Sequence, residues 1–384
     1  MRSVVRGEGF ASAFRRDDGH VWLNCAHQGP LPSVAADALT EALHWKQAPY
    51  ELTAERFRTV PERLRKSLAH LIGADPEEVI LGNSASYGLH LIANGLGLTD
   101  GDEVLVMATD FPSDILPWLR LRRDGVNVRQ LRPRGQVLEP DEIRTHITTR
   151  VRVLCLTWVH SFSGWTIDVD AIGSLCRDHG IVFVLNASQA IGARPLNVKD
   201  TPIDALVSVG FKWLCGPYGT GFCWIRKELL PRLEPVQAYW LARLSAEDLA
   251  QPVETRLPDG IDCRAFDVFG TANFFNFVPW NAAIDYLSTV GIATIADYDQ
   301  QLIQRLIDGL DGRRFVISSP RSVSRRSTLL VFSDRAEDRN ATRYDALSAA
   351  GIHVALRAGH LRISPHCFNT FSDVDRALTI LDQT

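Results

Sequence analysis

Short apolar runs alternate with helix-length segments from residue 79 to residue 225, and this alternation constrains the fold more than any other feature of the sequence. The runs are Val79-Ile80-Leu81, Val104-Leu105-Val106, Val126 to Val128, Val153 to Leu156, Val182 to Leu185, Ala205 to Val209 and Phe222 to Ile225. Uniformly apolar runs predict strands that are buried on both faces, and the intervening helices connect such strands in parallel. The sequence therefore predicts an α/β fold, a mostly parallel sheet with helices on both faces.

The alternation weakens after residue 225, and a second, smaller unit is predicted there. The stretch from Gln251 to Asp262 is polar and rich in breakers, which is typical of a passage between domains. Helical segments and then short strands follow it, in an order that predicts a small α+β domain. We therefore divide the chain into residues 1–265, an N-terminal segment with the large domain, and residues 266–384, the small C-terminal domain.

The composition excludes several classes of function. The 384 residues carry a net charge of −4 without a basic run, so neither nucleic acid nor an anionic membrane is an expected partner. No apolar stretch approaches the ~20 residues that span a bilayer, and the N-terminus lacks the apolar core of a signal peptide. The seven cysteines are scattered without a Cys-x-x-Cys pair, which predicts reduced thiols, a cytoplasmic location and no metal site.

Lys212 is the leading candidate for a catalytic residue. It follows the apolar run that ends at Val209, lies between Phe211 and Trp213, and precedes a Gly-Pro-x-Gly-x-Gly turn. A lysine with aromatic neighbours is poorly solvated, and desolvation lowers its pKa and makes the amine a nucleophile for carbonyl groups. The alternative is a lysine that extends from a strand end into solvent.

Other candidates follow the predicted strands, where an open α/β sheet binds its ligands. The loop that contains Ala85 and Ser86 joins a strand to a helix, so it can hold a phosphate or simply cap the helix. Phe111 offers an aromatic ring, or belongs to the core. Gln189 offers an amide, or belongs to a turn. Arg362 can pair with both oxygens of a carboxylate, although a surface arginine is the commoner case.

Taken together, these positions resemble the class V aminotransferase superfamily of pyridoxal-phosphate enzymes. The resemblance runs from Asn24 to Asp373, and its most specific piece is the segment Lys212 to Gly221. Within the superfamily, the segments Asn83 to Gly88 and Arg362 to Thr370 resemble the isopenicillin N epimerase-like branch. The resemblance implies the fold predicted above and pyridoxal 5'-phosphate as cofactor.

The resemblance also implies a role for each candidate. For the cofactor, it implies that Lys212 forms the Schiff base and that Ala85 and Ser86 bind the phosphate. It also implies that Phe111 stacks on the ring and that Gln189 lies beside the ring hydroxyl. For the neighbouring groups, it implies that Thr271 reaches the phosphate of a neighbouring subunit and that Arg362 holds the substrate carboxylate. The role of Thr271 implies a homodimer with shared active sites. Ser208 is a weaker candidate for the phosphate, since the residue that corresponds to the family's serine is not clearly placed.

The sequence departs from the family at the ring nitrogen. The family has an aspartate three residues before the glutamine, and this chain has Asn186 there. An anion keeps the ring nitrogen protonated, whereas a neutral amide supplies no charge. We therefore hypothesise a weaker electron sink, which disfavours transamination more than β-elimination or reprotonation at Cα. Alternatively, Asn186 only preserves a hydrogen bond, or catalytic power is lost. Phe211 also replaces a histidine that usually precedes the lysine.

The choice of reaction stays open at this stage. Cysteine desulfurase chemistry is disfavoured because no cysteine occurs between Cys263 and Cys367. β-Elimination of the C–S lyase type or epimerisation of a small amino acid is favoured, in specialised metabolism. Transamination, or a non-catalytic protein that keeps the fold for binding or dimerisation, is the alternative. Epimerisation needs a second base, for which His160, His27 and Tyr87 are candidates. Asn24 and His160 are also expected to contact the substrate.

Overall fold

A computed structural model describes residues 8–14, 19–234, 239–240, 252 and 262–384 of the chain. Its strands are β1 Val21–Trp22, β2 Val79–Gly82, β3 Glu103–Met107, β4 Asn127–Leu131, β5 Val151–Thr157, β6 Val182–Asn186, β7 Ala205–Val209, β8 Gly221–Ile225, β9 Phe315–Ile317, β10 Leu330–Asp334, β11 Ile352–His353, β12 Ala355–Arg357 and β13 His360–Ile363. Its helices are α1 Glu8–Ala11, α2 Ser33–Gln47, α3 Ala54–Ile72, α4 Ala85–Gly95, α5 Leu116–Arg120, α6 Pro140–Arg144, α7 Val169–Asp178, α8 Phe274–Val290, α9 Ile292–Gly309, α10 Arg339–Ala349 and α11 Phe371–Gln383.

The main sheet has seven strands in the order β2-β8-β7-β6-β5-β3-β4. The five strands from β7 to β4 run parallel, and β8 runs antiparallel to both of its neighbours. Every residue of β3, β6, β7 and β8 is buried, because helices cover the sheet. The predicted α/β fold with a mostly parallel sheet is confirmed.

The carboxyl ends of the parallel strands lie on the same side of the sheet, and the loops that follow these ends carry the candidate site. Asn186 is the last residue of β6, and Lys212 follows β7. β8 then returns antiparallel to the edge strand β2, whose end leads into α4. The strand order therefore determines which loops are neighbours on this side of the sheet.

A smaller four-stranded antiparallel sheet, in the order β12-β13-β10-β9, forms in the C-terminal part of the chain. α9 and α11 cover it with an apolar cluster that includes Leu302, Phe332 and Val374. The N-terminal strand β1 pairs in parallel with β11, so Val21 and Leu23 belong to this cluster as well. The division at residue 265 stays a prediction, and the predicted passage from Gln251 to Asp262 lies almost wholly outside the described residues. No helix among the described residues is long and apolar enough to cross a membrane.

Candidate active site

Lys212 lies half-buried in the turn that follows β7. Burial and the positive charge of Arg362 lower the pKa of Lys212 to about 8, although the nearby carboxyl of Asp114 opposes this shift. The Nζ atom lies 5.9 Å from the centroid of the Phe111 ring. Phe111 is 45% exposed, so its ring is available to a ligand and is not part of the core. The sequence-based expectation of a desolvated, nucleophilic amine agrees with this setting.

Several parts of the chain hold the backbone around Lys212. The amide of Gly29 donates to the carbonyl of Phe211 at 2.9 Å, and a Cβ atom at Gly29 would lie 2.1 Å from the carbonyl oxygen of Lys212. From the C-terminal part, Nε2 of His366 donates to the carbonyl of Trp213 at 3.1 Å. Because its backbone is fixed by these contacts, the lysine has little positional freedom.

The Nδ1 atom of His366 makes a second buried contact, with Asp299 of α9 at 2.7 Å. Burial alone would lower the pKa of His366, but the charge of Asp299 raises it well above the usual value. The protonated imidazole can therefore donate to both partners. A charged pair from the C-terminal part thus supports the turn that carries Lys212.

The amino end of α4 forms the candidate phosphate site. The helix begins at Ala85, and the hydroxyl of Ser84 caps it by accepting the amide N–H of Tyr87. A Cβ atom at Gly221 would lie 2.6 Å from the carbonyl carbon of Ser84, so the glycine turn after Lys212 packs directly against this loop. Only glycine permits that approach. Half-buried Ser86 lies in the first turn, where unpaired amides favour an anion.

Two amide side chains follow β6. Nδ2 of Asn186 donates to Oδ1 of buried Asp114 at 2.7 Å, and Oδ1 of Asn186 accepts the amide N–H of Ser188 at 3.0 Å. The side-chain oxygen of Gln189 accepts the indole N–H of Trp213 at 3.0 Å, so Gln189 is linked to the turn that carries Lys212.

Arg362 is buried at the boundary between the large sheet and the C-terminal sheet. One of its terminal nitrogens donates to the carbonyl of Ser161 at 3.1 Å, and Nε has no partner among the described residues. Burial and the charge of Arg357 lower the pKa of Arg362 to about 10. Oδ1 of Asn24 is another buried polar atom without a described partner. An anion would satisfy the buried guanidinium, as expected for a substrate carboxylate.

Three candidates from the sequence have other partners in the structure. Both ring nitrogens of His160 are occupied, Nδ1 by the hydroxyl of Ser163 at 2.8 Å and Nε2 by the carbonyl of Thr109 at 3.0 Å. Ser208 is fully buried, and its hydroxyl donates to the carbonyl of Val209 at 3.4 Å. The Thr271 hydroxyl donates to the carbonyl of Val268 in its own loop at 2.9 Å.

Asp114 and His366 were not predicted from the sequence as members of the site. Asp114 follows the candidate Phe111 by three residues, but only its contact with Asn186 in the structure distinguishes it from an ordinary turn residue. His366 belongs to the segment that resembles the family, but its distance from Lys212 along the chain concealed the contact.

The site fits a cofactor that carries an aldehyde, an aromatic ring and a phosphate. A lysine of lowered pKa, an exposed aromatic ring and a helix amino end meet at one edge of the sheet. A family model for class V aminotransferases matches residues 33–377. The chain belongs to this family. It is a pyridoxal-phosphate-dependent enzyme, and Lys212, Ser86 and Phe111 are the residues that would hold the cofactor.

Relatives of this class V enzyme carry different names. A probable cysteine desulfurase of Methanothermobacter thermautotrophicus is 29% identical over 302 residues, which cover 76% of this chain and 74% of the relative. The isopenicillin N epimerase of Streptomyces clavuligerus is 25% identical over 374 residues, 94% of each chain. The cystine C–S lyase C-DES, solved with its product cysteine persulfide, superposes with a TM-score of 0.85 at 20% identity, over 95% of this chain and 97% of C-DES.

Proposed function

We propose that this enzyme catalyses β-elimination from a small amino acid that carries a leaving group on Cβ, with cysteine S-conjugates as the first substrate class to test. The observation that carries the proposal is that His160, a candidate second base, is held by hydrogen bonds on both ring nitrogens. Lys212, in contrast, has a pKa of about 8. β-Elimination needs one base at Cα, and epimerisation needs a proton carrier on each face of the substrate.

Of the other two candidate bases, Tyr87 is engaged, because its hydroxyl donates to the carbonyl of Phe266 at 2.5 Å. His27 is mostly exposed, and partial burial with the positive charges of Arg357 and Arg362 lowers its pKa, which favours the neutral imidazole. It remains the candidate second base if the enzyme is an epimerase.

A thiol-dependent desulfurase mechanism has less support, although several relatives are named probable cysteine desulfurases. All seven cysteines belong to the described residues and all are buried. Burial raises the pKa of Cys367 to about 11 and that of Cys263 to about 12, so neither is a ready thiolate near neutral pH. β-Elimination requires no cysteine nucleophile.

In this proposal each side chain has one task. Arg362 binds the substrate carboxylate and thereby orients the bonds at Cα. Lys212 removes the Cα proton, and the cofactor, when bound, supplies the electron sink for the resulting charge. Buried Asn24, with its unpaired Oδ1, offers an acceptor to the substrate amine or side chain. We further propose a homodimer in which Thr271 contacts the neighbouring active site, and a cytoplasmic location.

The test uses the purified protein loaded with pyridoxal phosphate. Amino acids and cysteine S-conjugates are screened for pyruvate release, exchange of the α-proton with solvent and formation of the keto acid of the intact side chain. Pyruvate release from a β-substituted substrate is expected. Lys212→Ala should lower kcat roughly 10²- to 10⁴-fold, the usual contribution of a general base. Lys227→Ala, which alters an exposed lysine, is the matched control.

Two outcomes would replace the proposal. Exchange of the α-proton without pyruvate would assign epimerisation, and the keto acid would assign transamination. Borohydride treatment should fix the cofactor to Lys212 in any of these cases, so a failure of this step would contradict the assignment of the lysine itself.

A further inference from the structure

Asn186 does not stand alone at the end of β6. Its Nδ2 atom donates to Oδ1 of Asp114 at 2.7 Å, and Asp114 lies in the short turn after β3. Asp114 is fully buried, whereas Asn186 is 4% exposed. Both side chains are therefore buried, and the carboxyl group is the more deeply buried of the two.

The second oxygen of Asp114 distinguishes it from a carboxyl that merely stabilises the fold. Oδ2 is buried and has no hydrogen-bond partner among the described residues. The neighbouring buried acid Asp110, in contrast, accepts the amide N–H of Phe111 at 2.8 Å and that of Thr157 at 2.9 Å, one on each oxygen. Buried carboxyl oxygens are normally satisfied, so an incompletely satisfied one needs an explanation.

The titratable groups around Asp114 come from three parts of the chain. Asp110 precedes it on the same loop, buried Cys155 lies on β5, and Lys212 follows β7. Burial and the charge of Asp110 raise the pKa of Asp114 well above its usual value, and the hydrogen bond from Asn186 and the charge of Lys212 oppose this shift. A further positive charge at the site would favour the anionic form of Asp114 in the same way.

A hydrogen bond to a carboxylate polarises an amide. When Nδ2 of Asn186 donates to Asp114, Oδ1 of the same amide becomes a stronger acceptor, because linked hydrogen bonds reinforce one another. Oδ1 uses one lone pair for the amide N–H of Ser188 and keeps the other. A protonated ring nitrogen is a suitable donor to that lone pair.

We propose that Asp114 is a positioning residue that acts through Asn186. Its carboxylate orients the amide of Asn186 by accepting a hydrogen bond from it. The same carboxylate supplies, on the far side of that amide, the negative charge that stabilises a protonated ring nitrogen of the cofactor. In this chain the carboxylate is displaced from position 186 and is not lost. The inference changes the hypothesis drawn from the sequence, because the ring then faces an amide backed by a carboxylate. It rests on the assignment of the cofactor and is independent of which reaction follows.

An exchange of the two side chains tests the inference. Three variants of the cofactor-loaded enzyme are compared with the wild type: Asp114→Asn, Asn186→Asp and the double exchange of both. The readout is the nitrogen chemical shift of bound pyridoxal phosphate labelled with nitrogen-15 in the ring, which separates the protonated from the neutral nitrogen. The cofactor dissociation constant is measured alongside. Glu103→Gln, which alters a buried acid at the other end of β3, is the control.

Asp114→Asn should move the ring nitrogen towards the neutral form and weaken cofactor binding about tenfold, as expected from the loss of one charge-assisted interaction. The double exchange should keep the ring nitrogen at least as protonated as in the wild type, since it moves the carboxylate closer to the ring. Asn186→Asp leaves Asp110, Asp114 and the new acid together, so it should destabilise the fold by charge repulsion.

An unchanged ring nitrogen in Asp114→Asn would overturn the inference. A neutral ring nitrogen in the wild type would also overturn it, because the inference places a negative charge behind Asn186. This wild-type measurement decides if Asp114→Asn does not fold. A double exchange that binds the cofactor but leaves the nitrogen neutral would contradict the proposed effect of a carboxylate at this place. A wild-type protein that takes up no cofactor would contradict the cofactor assignment, which is a separate failure.

Discussion

Lys212 owes its chemistry to its surroundings. An exposed lysine has a pKa near ~10.4, and here burial and the charge of Arg362 lower that value to about 8. The carboxyl group of Asp114 opposes this lowering, so the pKa of Lys212 reflects the opposite effects of a buried acid and a buried arginine. The same arginine that would bind the substrate carboxylate therefore also adjusts the reactivity of the lysine.

The rate at which the cofactor-free protein takes up pyridoxal phosphate is expected to follow the pKa of Lys212. Only the neutral amine attacks the aldehyde, so the rate should rise with pH, reach half its maximum near pH 8 and level off above that. Stopped-flow absorbance between pH 6 and pH 10 measures this profile, with Lys212→Ala as the control that lacks the covalent phase. A midpoint near the pKa of an ordinary lysine would contradict the proposed environment.

At the scale of elements, the turn after β7 is supported by two separate parts of the chain. Gly29, in the segment before α2, approaches the carbonyl of Lys212, and His366, which follows β13, donates to the carbonyl of Trp213. His366 is in turn paired with Asp299 of α9. Contacts between elements therefore position the turn that carries Lys212, and the glycines of this turn permit the close backbone approach.

Asp299→Asn should destabilise the protein strongly, by about 3–5 kcal/mol, because it leaves a buried imidazole without its counter-charge. The matched control is Asp375→Asn in α11, which breaks the pair with Arg305 of the same helix α9. Both side chains of that pair are about half exposed, so the free energy of unfolding should change far less. Urea unfolding with and without the cofactor measures both variants.

The pH dependence provides a second check on this pair. The pKa of His366 is raised in the folded state, so its contribution to stability is fully present below the unfolded pKa of ~6.5. The contribution is lost as the pH rises through the folded pKa. The difference in unfolding free energy between wild type and Asp299→Asn should therefore shrink at high pH. A difference that is constant with pH would show that Asp299 stabilises the fold by packing alone.

At the scale of the whole molecule, the N-terminal part of the chain packs against the C-terminal part. β1, near the N-terminus, pairs with β11, so the segment from residue 19 to residue 29 runs from the C-terminal cluster to the turn that carries Lys212. An arginine from the C-terminal sheet and a lysine from the large sheet meet in the same site. Relative movement of the two parts would change the distance between these two groups.

We expect the purified enzyme to be a dimer with twice the 42.7 kDa mass of one chain, as measured by light scattering. Phe269 is 60% exposed and lies beside Gly270-Thr271, the segment expected to reach the neighbouring subunit. Phe269→Asp should therefore produce monomers and weaken cofactor binding. Val323→Asp, at a site 68% exposed in the C-terminal part, is the control and should remain dimeric. A monomeric wild type would contradict the shared active site.

The alternation of strands and helices in the large domain and the lysine with its glycine turn could be predicted from the sequence, and the family resemblance implied the cofactor class. A uniformly apolar run indicates a buried strand, and a glycine-rich turn indicates a close approach of the backbone. Both features can therefore be recognised from a short stretch of sequence. Even so, the sequence-based prediction missed the short elements β9 and α6, whose few residues give little periodicity. It also missed the 11-residue helix α10, because the buried face of that helix carries the polar residues Asn340 and Arg343 beside Leu347.

The tertiary structure alone decided which polar groups meet. In the sequence, Asn186 is an uncharged amide without a recognisable partner, and only the structure shows that the turn after β3 brings Asp114 into contact with it. Likewise, only the structure shows that Thr109 and Ser163 form hydrogen bonds with both ring nitrogens of His160. The physical reason is that hydrogen bonds and charges act over a few ångströms in space, between groups that are far apart in the chain. No local pattern records such a contact.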